Sequence, residues 1–154
     1  MGDRDGDSLR REVPPRIVVG AALVRAGAVL AARRSHPAEL AGYWELPGGR
    51  VELGESETDA VRRELGEELA LDVSVGGRLG WDVELAPDTV LRVYRASLAD
   101  PGAEPVAREH AALRWVGAGE LDELCWLPAD RAILPELRRA LRGRETPDAT
   151  GIQT

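Results

Sequence analysis

The stretch "LPGGRVELGESETDAVRRELGEELALDV", from Leu46 to Val73, gathers Glu57, Glu64, Glu67 and Glu68 behind two adjacent glycines. Set on a helix at about 100° per residue with Glu64 as zero, Glu68 lies at about +40° and Glu67 at about −60°. Glu57, two turns earlier, returns close to zero. Side chains three and four apart stand roughly 5–6 Å apart at Cβ, so these carboxylates repel one another. No lysine offsets them; Arg63 flanks the acidic arc and Arg62 lies on the far side. Two readings are open. The face is solvated, or it holds a hard divalent cation, which takes several oxygen ligands at close range.

The elements around the arc must present it to a cleft. Ser56 can cap the helix by accepting a free backbone N–H. Val61, Leu65 and Leu69 recur every four residues and form an apolar stripe at about +100°, beside the acidic face. Buried against a sheet, that stripe leaves Glu64, Glu67 and Glu68 looking into a neighbouring space. "RIVVGAALVR" (Arg16 to Arg25) reads as a buried strand, Gly27 as a turn and "AVLAARR" as a returning strand. The segment from His36 to Val51 is punctuated by Pro37, Gly42, Pro47, Gly48 and Gly49 and reads as a loop, with a short strand around Trp44 to Leu46. "VSVGGRLGWDVEL" and "TVLRVYRASL" predict two strands joined by a Pro87-Asp88 turn, and "ALRWVGA" predicts another. Pro128 opens a last helix in which Pro135 predicts a kink or a break. The mixture is an α/β or α+β domain over residues 15–142, with polar tails expected at 1–14 and 143–154.

Composition sets bounds. The 154 residues suit one domain, and the formal net charge of −7 argues against binding a nucleic acid polymer through its phosphates. A nucleotide ligand is not excluded, since a metal and a few arginines supply positive charge locally. The single cysteine, Cys125, permits no intramolecular disulfide and fits a cytoplasmic location. Between Leu124 and Trp126 it reads as a small buried residue. Neither a signal peptide nor a membrane span is expected. Trp44, Trp81, Trp115 and Trp126 read mostly as core, with one free to stack on a base.

Gly49, five residues, Glu55, seven residues, then Arg63-Glu64-Leu65-x-Glu67-Glu68-x-x-Leu71 resembles the Nudix box. From about Val18 to Leu137 the chain is similar to the MutT branch of that family, with "ELAGYWELPGGRVELGE" and "WLPADRAIL" carrying a likeness to its CTP-cleaving members. The resemblance implies an α/β/α sandwich around a mixed sheet. It also implies Mg²⁺- or Mn²⁺-dependent hydrolysis of nucleoside triphosphates to the monophosphate and pyrophosphate. On that pattern Glu64, Glu67 and Glu68 hold metal, Gly48 or Gly49 adds a backbone carbonyl, and Glu109 is a further catalytic or metal-binding carboxylate. Arg63 steadies the glutamates and Glu55 braces Arg63. Arg34 is a phosphate contact, Asp130 a base contact, and Trp44 and Glu45 candidate substrate contacts. His110 reads as incidental.

The box departs at Ala70, where the family usually has glycine, so a somewhat different helix end is expected. Cytosine nucleotides are the expected substrates. Oxidised dGTP and ADP-ribose are alternatives, the latter hinted at by Pro87. A non-catalytic nucleotide sensor is the alternative of another class, against which the retained glutamates speak. A monomer or a homodimer is expected.

Overall fold

A computed structural model describes residues 14–152, with side chains to residue 143. The 1–13 part of the proposed N-terminal tail lies outside the described residues. Chain order is β1 (Arg16–Arg25), β2 (Ala28–Arg33), β3 (Trp44–Glu45), β4 (Gly48–Arg50), α1 (Glu57–Leu69), β5 (Val73–Ala86), β6 (Thr89–Leu98), β7 (Ala112–Gly117), a 3₁₀ turn (Ala118–Glu123) and α2 (Pro128–Ile152). The strands form one sheet in the order β3-β2-β1-β6-β5, with β4 beside β1 and β7 beside β2. β1 and β6 run parallel while the other pairs are antiparallel, so the sheet is mixed.

The side-chain period of two in β1 splits the core into two layers. Val19, Ala21 and Leu23 face one way and pack with Ala60, Val61, Leu65 and Leu69 of α1. Ala22 faces the other way, into a cluster with Ile133, Leu134, Leu137 and Leu141 of α2. The result is the expected α/β/α sandwich. Trp126 lies fully inside, its indole N–H donating to the Leu121 carbonyl at 2.7 Å.

Several local expectations need correction. α2 is not broken at Pro135. The proline removes one helical hydrogen bond, but Ile133, Leu134 and Leu137 on either side of it are anchored in the core. α2 also runs past residue 143 into the stretch expected to be a tail. Cys125 is exposed, because the extended segment alternates and gives its inner positions to Leu124 and Trp126. Trp81 is 51% exposed on β5, where the pairing register shifts, and belongs to no core cluster.

The end of α1 is also unlike the expectation. Ala70 adopts the left-handed conformation (φ 58°, ψ 37°) that the family's glycine would take. The Ala70 N–H reaches the Gly66 carbonyl at 3.1 Å, the bond of an αL helix ending, and the Leu71 N–H reaches Leu65 at 3.3 Å. The tertiary need to turn into β5 overrides the cost of a Cβ there. Ala70→Gly should therefore raise stability by about 1 kcal/mol. Urea unfolding checks this, and no gain would mean that Ala70 is unstrained.

Candidate active site

Ser56 caps α1 as the sequence suggests, its Oγ accepting the Asp59 N–H at 3.1 Å. With Val61, Leu65 and Leu69 fully buried, the angular order of the glutamates fixes their exposure. Glu68, closest to the stripe, is buried; the Glu64 side chain is 15% exposed; Glu67, on the far side, is 61% exposed. Glu57 departs from this face. It accepts from Arg92 at 2.6 Å and from the Tyr94 hydroxyl at 2.5 Å, which ties the start of α1 to β6.

The two glycines ahead of α1 are required by close approach rather than by loop flexibility. A Cβ on Gly48 would lie 1.9 Å from the Val19 carbonyl oxygen, and one on Gly49 would lie 2.4 Å from the Glu64 carboxylate. β4 forms by pairing with β1 where the sequence suggests only a loop, and this crowding explains why it is built on glycines. Ala21 donates to Pro47 and Val51 donates to Ile17, so the intervening bonded pair is Val19 with Gly49. Gly48 then turns both its N–H and its carbonyl away from β1. Its N–H meets Glu68 Oε2 at 3.2 Å.

Arg63 organises the acidic arc. Its guanidinium donates to both oxygens of Glu55 at 2.7 and 3.0 Å, to Glu64 at 2.9 Å, to Glu67 at 3.2 Å and to the Arg50 carbonyl at 2.9 Å. The Arg63 hydrogen bond is the main cause that pulls the Glu55 carboxyl down to about 2, and Glu55 in turn raises Arg63. The fork holds Glu64 and Glu67 in fixed positions while remaining fully charged.

A cavity of about 560 Å³ lies beside this cluster. It is lined by Gly48, Gly49 and Glu68, by Arg34, Glu45, Glu109 and His110, and by Asp130. Arg34 holds Glu45 at 3.1 and 3.2 Å, and His110 Nε2 lies 2.9 Å from the same carboxylate. His110, incidental on sequence grounds, is therefore a residue of the cavity wall. A lone histidine in a charged loop gives no signal of where the loop folds. Its Nδ1 is buried without a hydrogen-bond partner among the described residues. Trp44, by contrast, does not line the cavity; it packs on the core, with the Arg33 guanidinium 5.8 Å from its ring.

Charge in this wall is under strain. Burial pushes the Glu68 carboxyl up to about 8, with Glu64, Glu45 and Glu109 adding repulsion. Burial also raises Glu64, opposed by Arg63. Asp130, almost fully buried with its Oδ1 accepting the Leu46 N–H at 2.9 Å, is pushed by burial to about 7.

Among the described residues no three acidic, imidazole or thiol groups converge as a finished metal cage. The donor chemistry nonetheless fits a hard divalent cation. The groups around Gly48 are oxygens, their carboxylates repel one another, and the Gly48 carbonyl points away from its strand partner.

A sequence-family model described as the NUDIX domain matches residues 14–142. A Mycobacterium tuberculosis protein whose name proposes 8-oxo-dGTP diphosphatase as its activity is 52% identical over 131 residues, spanning 83% of this chain and 92% of its own. The CTP pyrophosphohydrolase of Escherichia coli is 34% identical, spanning 85% of this chain and 96% of its own. Among solved structures, the E. coli ORF135 protein superposes with a TM-score of 0.72 at 32% identity, covering 86% of this chain and 94% of that one.

Proposed function

The chain belongs to the Nudix family and is a nucleotide pyrophosphohydrolase of MutT type, and we propose that it cleaves nucleoside triphosphates to the monophosphate and pyrophosphate with a preference for cytosine bases. The observation that carries this reading is a single cavity that brings the acidic wall of Glu68 and Glu109 together with buried Asp130. We assign Mg²⁺ or Mn²⁺ to Glu64, Glu67, Glu68 and the Gly48 carbonyl, with Glu109 alongside. A bound divalent ion neutralises phosphate oxygens and makes water a stronger nucleophile at neutral pH.

The chain's own groups supply the rest. Arg63, braced by Glu55, keeps the α1 carboxylates oriented. Arg34, steadied by Glu45, offers its guanidinium to the phosphates in the cavity. One of Glu64, Glu68 and Glu109 takes a proton from the attacking water. Hydrolysis opens the α–β anhydride and releases pyrophosphate.

Asp130 Oδ1 is occupied by Leu46, which leaves its second oxygen for the base. Ionised, that oxygen only accepts, and it suits the N4 amino group of cytosine. Protonated, it donates and suits a base carbonyl such as guanine O6. The second reading, oxidised dGTP, is favoured by the higher identity to the mycobacterial relative. Because Asp130 sits at about 7, pushed up by burial and Glu45 and pulled down by the Leu46 N–H and Arg34, both forms exist near neutrality.

The expected result is a ratio of kcat/KM for CTP over 8-oxo-dGTP that rises as pH passes upward through about 7. Taking the ratio cancels titrations shared by both substrates. In Asp130→Asn this pH dependence should vanish and the ratio should shift by about 1–3 kcal/mol, ~5- to 150-fold. An unchanged ratio would leave Asp130 without a role in base choice. ADP-ribose in the same assay tests the remaining alternative.

A further inference from the structure

We propose that Asp130 is also a positioning residue for the metal site: it anchors Leu46, and through the segment Leu46–Pro47–Gly48 it sets the carbonyl that Gly48 presents on the α1 side. This rests on the metal reading above. β3 ends at Glu45 and β4 begins at Gly48, so Leu46 and Pro47 belong to neither strand. Leu46 donates to Asp130, at the start of α2. Pro47 has no N–H, and its carbonyl accepts from Ala21 at 2.8 Å. Gly48 donates to Glu68, near the end of α1. The segment is thus suspended between carboxylates on the two helices that sandwich the sheet.

The anchor is itself held. Trp44 donates to Cys125 and Leu127 donates to Trp44, each at 2.9 Å, so the chain entering α2 is laced to β3 two residues before Leu46. An aspartate that merely favoured the helix N-terminus through the dipole would do so from solvent. Asp130 is instead 6% exposed, a costly place for a carboxyl without a specific partner. Its bond to Leu46 supplies that partner. Displacing Leu46 moves Gly48, two residues on, whose carbonyl direction decides whether it can ligate.

The test separates the acceptor from the charge. Asp130→Asn removes the charge but keeps a carbonyl oxygen of the same reach; Asp130→Ala removes both. Mn²⁺ binding to nucleotide-free protein is followed by electron paramagnetic resonance, and amide exchange at Leu46 and Gly48 by NMR. The expected result for Asp130→Ala is Mn²⁺ binding weakened about 10-fold or more, with faster exchange at both amides. Asp130→Asn should bind Mn²⁺ within about twofold of wild type, since the Leu46 anchor persists. If Asp130→Ala does not fold, Asp130→Ser, too short to reach Leu46, is read in the same way. The proposal is overturned if the truncated variant binds Mn²⁺ like wild type, or if Asp130→Asn loses as much as the truncation. Wild-type protein that binds no Mn²⁺ overturns the metal reading and this proposal with it; normal wild-type binding with no effect of truncation overturns this proposal alone.

Discussion

Glu68→Gln is expected to lower kcat by about 10²–10⁴-fold, the range that one positioned acid–base group supplies, while the metal-free protein melts at the same temperature or higher. The substitution keeps the shape and removes a charge from a wall where Glu64, Glu45 and Glu109 already repel it. The stability sign follows from linkage. The folded-state pKa of Glu68 is raised to about 8, so its contribution is full below the ordinary carboxylate value and is lost as pH rises through about 8. Glutamine does not titrate, so the variant gains on wild type as pH rises across that window. Glu67→Gln should lose comparable activity without the stability gain, because Glu67 is largely exposed and paired with Arg63. Thermal melts at pH 5 and pH 8 with chelator, beside turnover in Mg²⁺, check both. Full turnover by either variant would contradict the assignment of α1 to catalysis.

Arg63→Ala should cost about 10- to 100-fold in activity and metal affinity, although Arg63 is assigned no direct ligand role. Its guanidinium meets Glu55, Glu64, Glu67 and the Arg50 carbonyl together, so its loss frees the glutamates and the loop before α1 at once. Arg63→Lys should not rescue, because an ammonium cannot span these acceptors as a planar fork does. The Glu55 carboxyl gives a readout independent of activity. Held at about 2 by Arg63, it should return toward the ordinary glutamate value in the variant. A lowered carboxylate stabilises the fold above its ordinary pKa and loses that as pH falls through about 2, so the variant should be weaker toward acid. NMR titration of Glu55 that shows no change would mean that Arg63 does not hold it.

The sequence carried the parts of the fold that local periodicity encodes. The Val61–Leu65–Leu69 stripe, the Ser56 cap and the angular order of Glu64, Glu67 and Glu68 follow from 3.6 residues per turn, and their burial matches that order. What it did not carry depends on distant partners. β4 exists because Gly48 and Gly49 pair with Gly20 and Val19 of β1 and lie too close to Val19 and Glu64 for a Cβ, contacts with no trace in the local pattern. Glu57 shares the helix phase of Glu64 yet goes to Arg92 and Tyr94, which a helix projection cannot see. His110 enters the cavity wall through Glu45, 65 positions away in the chain. Ala70 takes a glycine's conformation because the chain must turn from α1 into β5 within three residues. Trp81 is left outside because the bulges of β5 break the alternation on which its inward placement would depend.

The most direct test of the account is the identity of the products. CTP and 8-oxo-dGTP are incubated with the protein in Mg²⁺, in excess chelator, and in chelator followed by excess Mg²⁺, and the phosphorus-containing products are resolved by ³¹P NMR. Nucleoside monophosphate and pyrophosphate are expected in equal amounts with Mg²⁺, none in chelator, and recovery when Mg²⁺ is restored. Nucleoside diphosphate with inorganic phosphate, or undiminished turnover in chelator, would contradict the account.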